Sequence, residues 1–311
     1  MDKHYQPKFQ EEYSAKIPAL TLLTSLGWTF LSPKQIMDYR GYKQDEVVLR
    51  PVLREELSKR SFMAGGKTCQ LSEKALANLI SQVCSPALNE GLLKANERMY
   101  NHLLYGIAVT EFVDGKKVNP TIALIDWEHP ENNQFHFTEE FTVLRSGGVE
   151  TRRPDIVCFV NGIPLAVIEA KSPAGHGKKG PTIDEGISQS IRNQFNDEIP
   201  QLFVYSQLLL SVNGHDGRYG TCHTPMKFWA AWREEDVTDP QMYALRNHPL
   251  STEQIHALFD HRPSVDLKWY QQLIDGGELA VSGQDKLLIS LLSPERLLEM
   301  TRFFTLFDKK T

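Results

Sequence analysis

The 311-residue chain lacks the features that would take it out of the ordinary globular class. Its cysteines, Cys69, Cys84, Cys158 and Cys222, stand apart with no CxxC pair and no histidine pairing, which argues against a zinc site or a disulfide framework and fits a reducing compartment. No window approaches the ~18 apolar residues of a membrane span, and the N-terminal stretch mixes Asp, Lys and Glu without a leader's apolar core. A cytoplasmic protein with no membrane partner is therefore expected. Positive charge is not in excess either: 34 Lys and Arg against 39 Asp and Glu give a formal net charge of −5, without the electrostatic footprint of an autonomous DNA binder. A complete phosphate-binding loop is also missing. Gly65-Gly66-Lys67-Thr68 ends like one, but the motif wants glycine at 61, where Ser61 stands, and no buried strand precedes it. ATP binding by this chain is not expected, and the four residues read as a mobile turn between helices. Internal repeats and low-complexity tracts are absent.

What is present is enough apolar residue for a sizeable core, 41% of the chain, and one stretch that carries chemistry. From Thr151 to Pro173 the sequence reads TRRPDIVCFVNGIPLAVIEAKSP. Ile156 to Val160 and Leu165 to Ile168 are rich in β-branched and aromatic residues, and Asn161-Gly162 between them is the strongest short-range hairpin signal. Each arm, at about 3.3 Å per residue, returns its far end beside the other, so Asp155 and Glu169 converge away from the turn. Parity adds a constraint. A two-residue turn pairs Val160 with Ile163, and an unbroken ladder then sets Asp155 opposite Ile168, which leaves the carboxylates on opposite faces. A shared site therefore requires an irregularity between 155 and 169: a three-residue loop with Gly162 at positive φ, or a disruption at Pro164, which has no N–H for the ladder.

Two converging carboxylates with Lys171 on the same strand face as Glu169 suit phosphodiester hydrolysis. That reaction needs a hard cation on the phosphate, a deprotonated water and relief of developing negative charge, and carboxylates select Mg²⁺. Asp155, Glu169 and the Ala170 carbonyl are the expected metal ligands, with Lys171 orienting the water or stabilising the transition state. Taken alone, such a triplet more often marks solvated strand ends. Here the acids interrupt strands apolar on both faces, and burying unpaired charge is costly enough to require a reason.

RPDIVCFVNGIPLAVIEAKSP, followed in order by EGISQSIRNQ, IPQLFVYSQLLLSVNG, YGT and KFWAAW, resembles the N-terminal endonuclease region of HsdR, the restriction and translocation subunit of Type I restriction-modification enzymes. The likeness runs from about Glu11 to Trp232. It implies an α/β (α+β) PD-(D/E)xK fold, a mixed sheet flanked by helices, with Asp155, Glu169 and Lys171 on the catalytic positions. It also implies a Q-x-x-x-Y element on the next helix, whose glutamine falls on Gln189. The position four residues on is Asn193 where relatives place tyrosine, and Phe195 and Tyr205 are the nearby aromatics that offer a replacement. Relatives often add an acid from an N-terminal helix; Glu12 is the nearest, though a glutamate there also suits the helix dipole.

Local basic groups are the expected DNA contacts: Arg152 and Arg153 beside the hairpin, and Lys178 and Lys179 in a Gly-rich loop for which an ordinary solvated loop is an equal alternative. Along the chain, helices are expected over 13–27, 45–60, 72–83 and 88–104, strands over 106–112, 121–127 and 134–144, a helix over 183–195, and a strand or two over 201–212. Charge clusters at REEDVTDP after Trp232, and helices are expected over 251–259, 265–274 and 293–307. The expected layout is an endonuclease domain over 1–235, helical to 104 with the sheet core after it, and a helical linker over 236–311 leading towards a motor absent from the chain. Two functional readings follow. One is a Mg²⁺-dependent endonuclease module that cuts unmodified DNA non-specifically after ATP-driven translocation, with ATP bound only by the full-length subunit. The other is a catalytically silent module that docks methyltransferase and specificity subunits. The intact triplet favours the first.

Overall fold

The computed structural model describes residues 10–173 and 182–307. Its centre is a six-stranded mixed sheet whose strands neighbour one another in chain order: β1 (Thr29–Phe30), β2 (Phe135–Glu139), β3 (Ile156–Val160), β4 (Ile163–Ala170), β5 (Leu208–Val212) and β6 (Gly217–Gly220). The β1–β2 and β4–β5 pairs are parallel and the others antiparallel. β3, β4 and β5 are buried at every position, which is why their sequences are apolar without alternation. This is the mixed sheet with flanking helices expected of a PD-(D/E)xK-like fold.

The hairpin contains the required irregularity. Asn161 (φ 52°) and Gly162 (φ 80°) are both left-handed, so the turn is the two-residue kind, and Val160 faces Ile163. Phe159 then faces Pro164, but Cys158 faces Ala166, leaving Leu165 as the extra residue of a bulge. The disruption follows Pro164, whose missing N–H weakens the ladder there. Beyond it Val157 faces Val167 and Ile156 faces Ile168, so continuation sets Asp155 against Glu169. Asn161 is fully buried and pinned: its Nδ2 donates to the Leu124 carbonyl (3.0 Å) and Asn133 Oδ1 (2.8 Å), and its Oδ1 accepts from Gln134 N (2.8 Å).

Several elements differ from expectation. The first helix starts with a π turn, Glu12–Lys16, before α1 (Ile17–Ser25), in a stretch where Pro18 cannot donate to the carbonyl four residues back. Residues 200–203 form a short helix, Pro200–Phe203, instead of a strand. Proline in its first turn presets the helical φ, and a run buried at every position but Gln201 carries little period to tell helix from strand. Gly65 and Gly66 turn a β-hairpin, Ser61–Ala64 against Lys67–Gln70, and do not join helices. Three helices were not expected, Pro33–Tyr39, Asp239–Arg246 and Gly283–Leu292. Gly283–Leu292 is buried on nearly every side, so it shows no amphipathic stripe.

α2 (Thr182–Asn193) lies against β4 and β5. The helices beyond 236 join the same hydrophobic core as α1. Trp28 Nε1 donates to the Leu292 carbonyl (2.7 Å), Gln284 Nε2 to the Ala15 carbonyl (2.9 Å) and the Tyr13 hydroxyl to Asp266 (2.8 Å).

Candidate active site

The bulge brings the ends of β3 and β4 into register, and Asp155, Glu169 and Lys171 meet there. Asp155 Oδ2 accepts from the Ala170 backbone N–H at 2.8 Å, so the side chain caps the partner strand as well as facing the cluster. Lys171 donates its backbone N–H to the Val212 carbonyl (2.8 Å), which extends the parallel pairing one residue past β4 and fixes where the side chain leaves the sheet. Its Nζ donates to the Ala170 carbonyl at 2.7 Å and lies 3.4 Å from Asp155 Oδ2 and 3.9 Å from Glu169 Oε2. Gln189, from α2, donates its amide Nε2 to Glu169 Oε2 at 2.8 Å. Thus Asp155, Glu169, Lys171 and Gln189 form one cluster.

Its electrostatics follow from burial. Glu169 is 1% exposed, and desolvation, with Asp155 adding like charge, pushes its carboxyl well above the ordinary range despite Lys171. For Lys171, burial works against the charged form, but Asp155, Glu169 and Glu11 outweigh it and raise its pKa, so the ammonium stays charged. Glu169 Oε1 is buried with no hydrogen-bond partner. A buried orphan carboxylate oxygen is costly, and an ion bound to it would remove that cost.

The donor set fits Mg²⁺, with two carboxylates and the Ala170 carbonyl converging as hard oxygen ligands. Among the described residues no group of three or more His, Cys, Asp or Glu side chains is placed to hold an ion unaided. Water and substrate oxygens would complete the shell, as Mg²⁺ commonly requires.

The N-terminal acid nearest the cluster is Glu11, not Glu12. Glu11 Oε2 is 4.0 Å from Lys171 Nζ, and burial raises its pKa more than Lys171 lowers it. Glu12 instead pairs with Lys16 (3.3 Å) and Arg262, which overcome burial and hold it below the usual glutamate range. No local pattern separates the adjacent Glu11 and Glu12; tertiary packing gives Glu12 to Lys16 and Arg262 and leaves Glu11 beside Lys171. Asn193 is buried, its carbonyl accepting from Ile199 N (3.1 Å) and its Oδ1 from Arg192 (3.2 Å). Neither aromatic replaces a tyrosine at the carboxylates by hydrogen bonding: Tyr205 donates its hydroxyl to the Val83 carbonyl (2.7 Å), and Phe195 is exposed and has none.

The expected DNA contacts fare differently. Arg153 is exposed and pairs with Glu140. Arg152 is held by buried Glu198, with Nη2 at 2.8 Å and Nε at 2.6 Å from its carboxylate, in a cluster that includes Arg145. Its charge is largely answered within the protein. Lys178 and Lys179 lie outside the described residues. Among the described residues no helix is long and apolar enough to cross a membrane.

Comparison with known proteins matches this geometry to a family. The chain is 28% identical over 300 residues to the Type I restriction enzyme HindI endonuclease subunit of Haemophilus influenzae, covering 94% of this chain and 24% of that protein. It is 25% identical over 315 residues to the putative MjaIXP endonuclease subunit of Methanocaldococcus jannaschii, covering 97% and 26%. Over 134 residues it is 30% identical to the EcoprrI endonuclease subunit of Escherichia coli, covering 42% and 38%. The chain thus spans about a quarter of the first two relatives. The model of the Type I restriction enzyme R protein N terminus matches residues 8–228, which include the whole cluster from Glu11 to Gln189, and the chain belongs to that family.

Proposed function

We propose that this chain is the Mg²⁺-dependent endonuclease module of a Type I restriction enzyme's endonuclease subunit, hydrolysing phosphodiester bonds of unmodified double-stranded DNA without reading sequence. The observation that carries the reading is the buried cluster of Asp155, Glu169 and Lys171, in which Glu169 Oε1 has no protein partner. Asp155, Glu169 and the Ala170 carbonyl would hold the ion, which supplies Lewis acidity at the scissile phosphate and a more acidic bound water. Lys171 places a fixed positive charge where negative charge grows on the phosphate oxygens. Gln189 holds Glu169 Oε2, the oxygen 3.9 Å from Lys171 Nζ, and so fixes the orientation of the carboxylate.

Delivery of DNA is assigned to partners. The net charge of −5 opposes polyanion binding, and Arg152 and Arg153 are engaged by Glu198 and Glu140. Methyltransferase and specificity subunits would select the site, and ATP-driven translocation would belong to parts of the subunit outside this chain. Lys67 and Thr68 lie in a short hairpin strand, not at the start of a helix, which supports placing ATP elsewhere.

The test is plasmid cleavage by the full subunit reconstituted with its partners and ATP. Asp155→Ala, Glu169→Ala and Lys171→Ala should each lower cleavage by ~100-fold or more while ATP hydrolysis persists. Wild-type cutting by any one of them removes that residue from the chemistry.

A further inference from the structure

Gln189 reaches Glu169 from α2, whose backbone at Gly186 approaches the sheet too closely to leave room for a Cβ. At the crossing point stand Gly186 on the helix and Ser211 on β5, the cross-strand neighbour of Glu169. A Cβ added at Gly186 would come 2.3 Å from Ser211 Oγ, 3.3 Å from Ser211 Cβ and 3.4 Å from Glu169 Cβ. Real Cβ contacts do not fall below 3.0 Å, so alanine at 186 requires something to shift. The obstacle is held in place: Ser211 is fully buried and its Oγ donates to the Ile183 carbonyl of the same helix at 2.8 Å. Turning the hydroxyl away would break that bond and still leave the serine Cβ in tight contact. Residues three apart share a helix face, so the height of the helix at Gly186 sets the reach of Gln189.

We infer that Gly186 and Ser211 are positioning residues: together they set the spacing of α2 over the carboxylates, and that spacing delivers the Gln189 amide to Glu169. The inference rests on the nuclease reading for its bearing on cleavage, but not for its geometry. Alanine is the better helix former, so local propensity alone predicts that Gly186→Ala is harmless or favourable. The packing predicts the opposite. Lifting the helix to clear Ser211 stretches the 2.8 Å contact between Gln189 and Glu169 past hydrogen-bonding distance.

Two arms test this. In crystal structures of the 311-residue chain, Gly186→Ala should separate Gln189 Nε2 from Glu169 Oε2 beyond about 3.5 Å, and Gly186→Ala with Ser211→Ala, which removes the obstructing Oγ, should bring them back together. An unchanged contact in the single variant overturns the inference. In the reconstituted enzyme, Gly186→Ala should lower cleavage about 10- to 100-fold, the usual effect of losing a residue that orients a metal ligand. Adding Ser211→Ala should restore most of it, measured against Ser211→Ala alone. Adding Gly186→Ala to Gln189→Ala should cost nothing further, because the two act through one contact. Wild-type cutting by the single variant, or losses that multiply, would overturn the assignment. A wild-type complex that does not cut, beside crystal distances that change as expected, would sink the nuclease reading and leave the helix spacing intact.

Discussion

Arg262 joins the C-terminal helices to the site region through buried ion pairs, and Arg262→Ala tests their weight. Its guanidinium, 7% exposed, pairs with Glu12, Glu139 and Asp266, of which Glu139 and Asp266 are themselves only 4% and 7% exposed. Removing one partner from a buried ion pair costs about 3–5 kcal/mol, because the remaining charge is left in a poor solvent. The lower end applies here. Glu139 keeps His261 Nε2 at 2.7 Å and Lys16 at 3.9 Å, and Asp266 keeps the Tyr13 hydroxyl at 2.8 Å. The expected loss is therefore about 3 kcal/mol, roughly 5 °C in melting temperature for a cooperative unit of this size. Differential scanning calorimetry and urea melts of the chain read it directly. The pH dependence gives a second check. Glu12 is held below its ordinary value by Lys16 and Arg262 against the opposing effect of burial. Its contribution is present above the ordinary glutamate range and is lost as pH falls through the lower folded value. Arg262→Ala should flatten that acid limb. A loss under about 1 kcal/mol, the level of an exposed pair, would refute the picture of a desolvated network.

Two further predictions concern the site without using cleavage. Glu169 has its pKa raised by burial and by Asp155, so in chelator-treated protein its charge destabilises the fold above 4.5, the ordinary glutamate value, and ceases to do so below it. Glu169→Gln should therefore raise the melting temperature at neutral pH and not in acid, while abolishing the stabilisation that added Mg²⁺ confers on the wild type; equal Mg²⁺ stabilisation in both would remove Glu169 from the metal site. The isolated chain should bind duplex DNA no tighter than about 1 μM at physiological salt, with steep salt dependence and no preference between unrelated duplexes, since its net charge opposes the polyanion. Nanomolar anisotropy titrations, or a sequence preference, would contradict delegated recognition.

The convergence of Asp155, Glu169 and Lys171 was legible because all three lie in one short window. Asp155, Glu169 and Lys171 sit on two strands joined by Asn161-Gly162, and the period of a strand is strict enough that parity alone demanded a bulge. Its location, at Leu165, was not decided by parity, which permits a longer loop equally well. The partners of the site were hidden for a different reason: each is remote in sequence. Arg152 meets Glu198 and Tyr13 meets Asp266 through tertiary packing that no local pattern encodes. Glu11 and Glu12 are adjacent, and only their distant partners, Lys171 for one and Arg262 for the other, tell them apart.

Contacts remote in sequence also surround the candidate site, and they explain why it needs more of the chain than its signature window. Glu140 donates its backbone N–H to the Asp155 carbonyl at 2.9 Å, and its carboxylate pairs with Lys16 and Arg153. Glu139, one residue earlier on β2, pairs with Arg262 and His261 from the C-terminal helices. The strand beside Asp155 is thus tied to the N-terminal helix and to residues 261–266 through one network, in which Lys16 and Arg262 share Glu12 and Glu139. A carboxylate pair in a low-dielectric cluster repels itself, and its geometry persists only if the surrounding backbone resists that force. The strands supply the register of the carboxylates; the ion-paired layer formed by the N-terminal helix and the C-terminal segment supplies the resistance. Substitutions in that layer, far from the carboxylates in sequence, should accordingly act on the site through stability first and chemistry second.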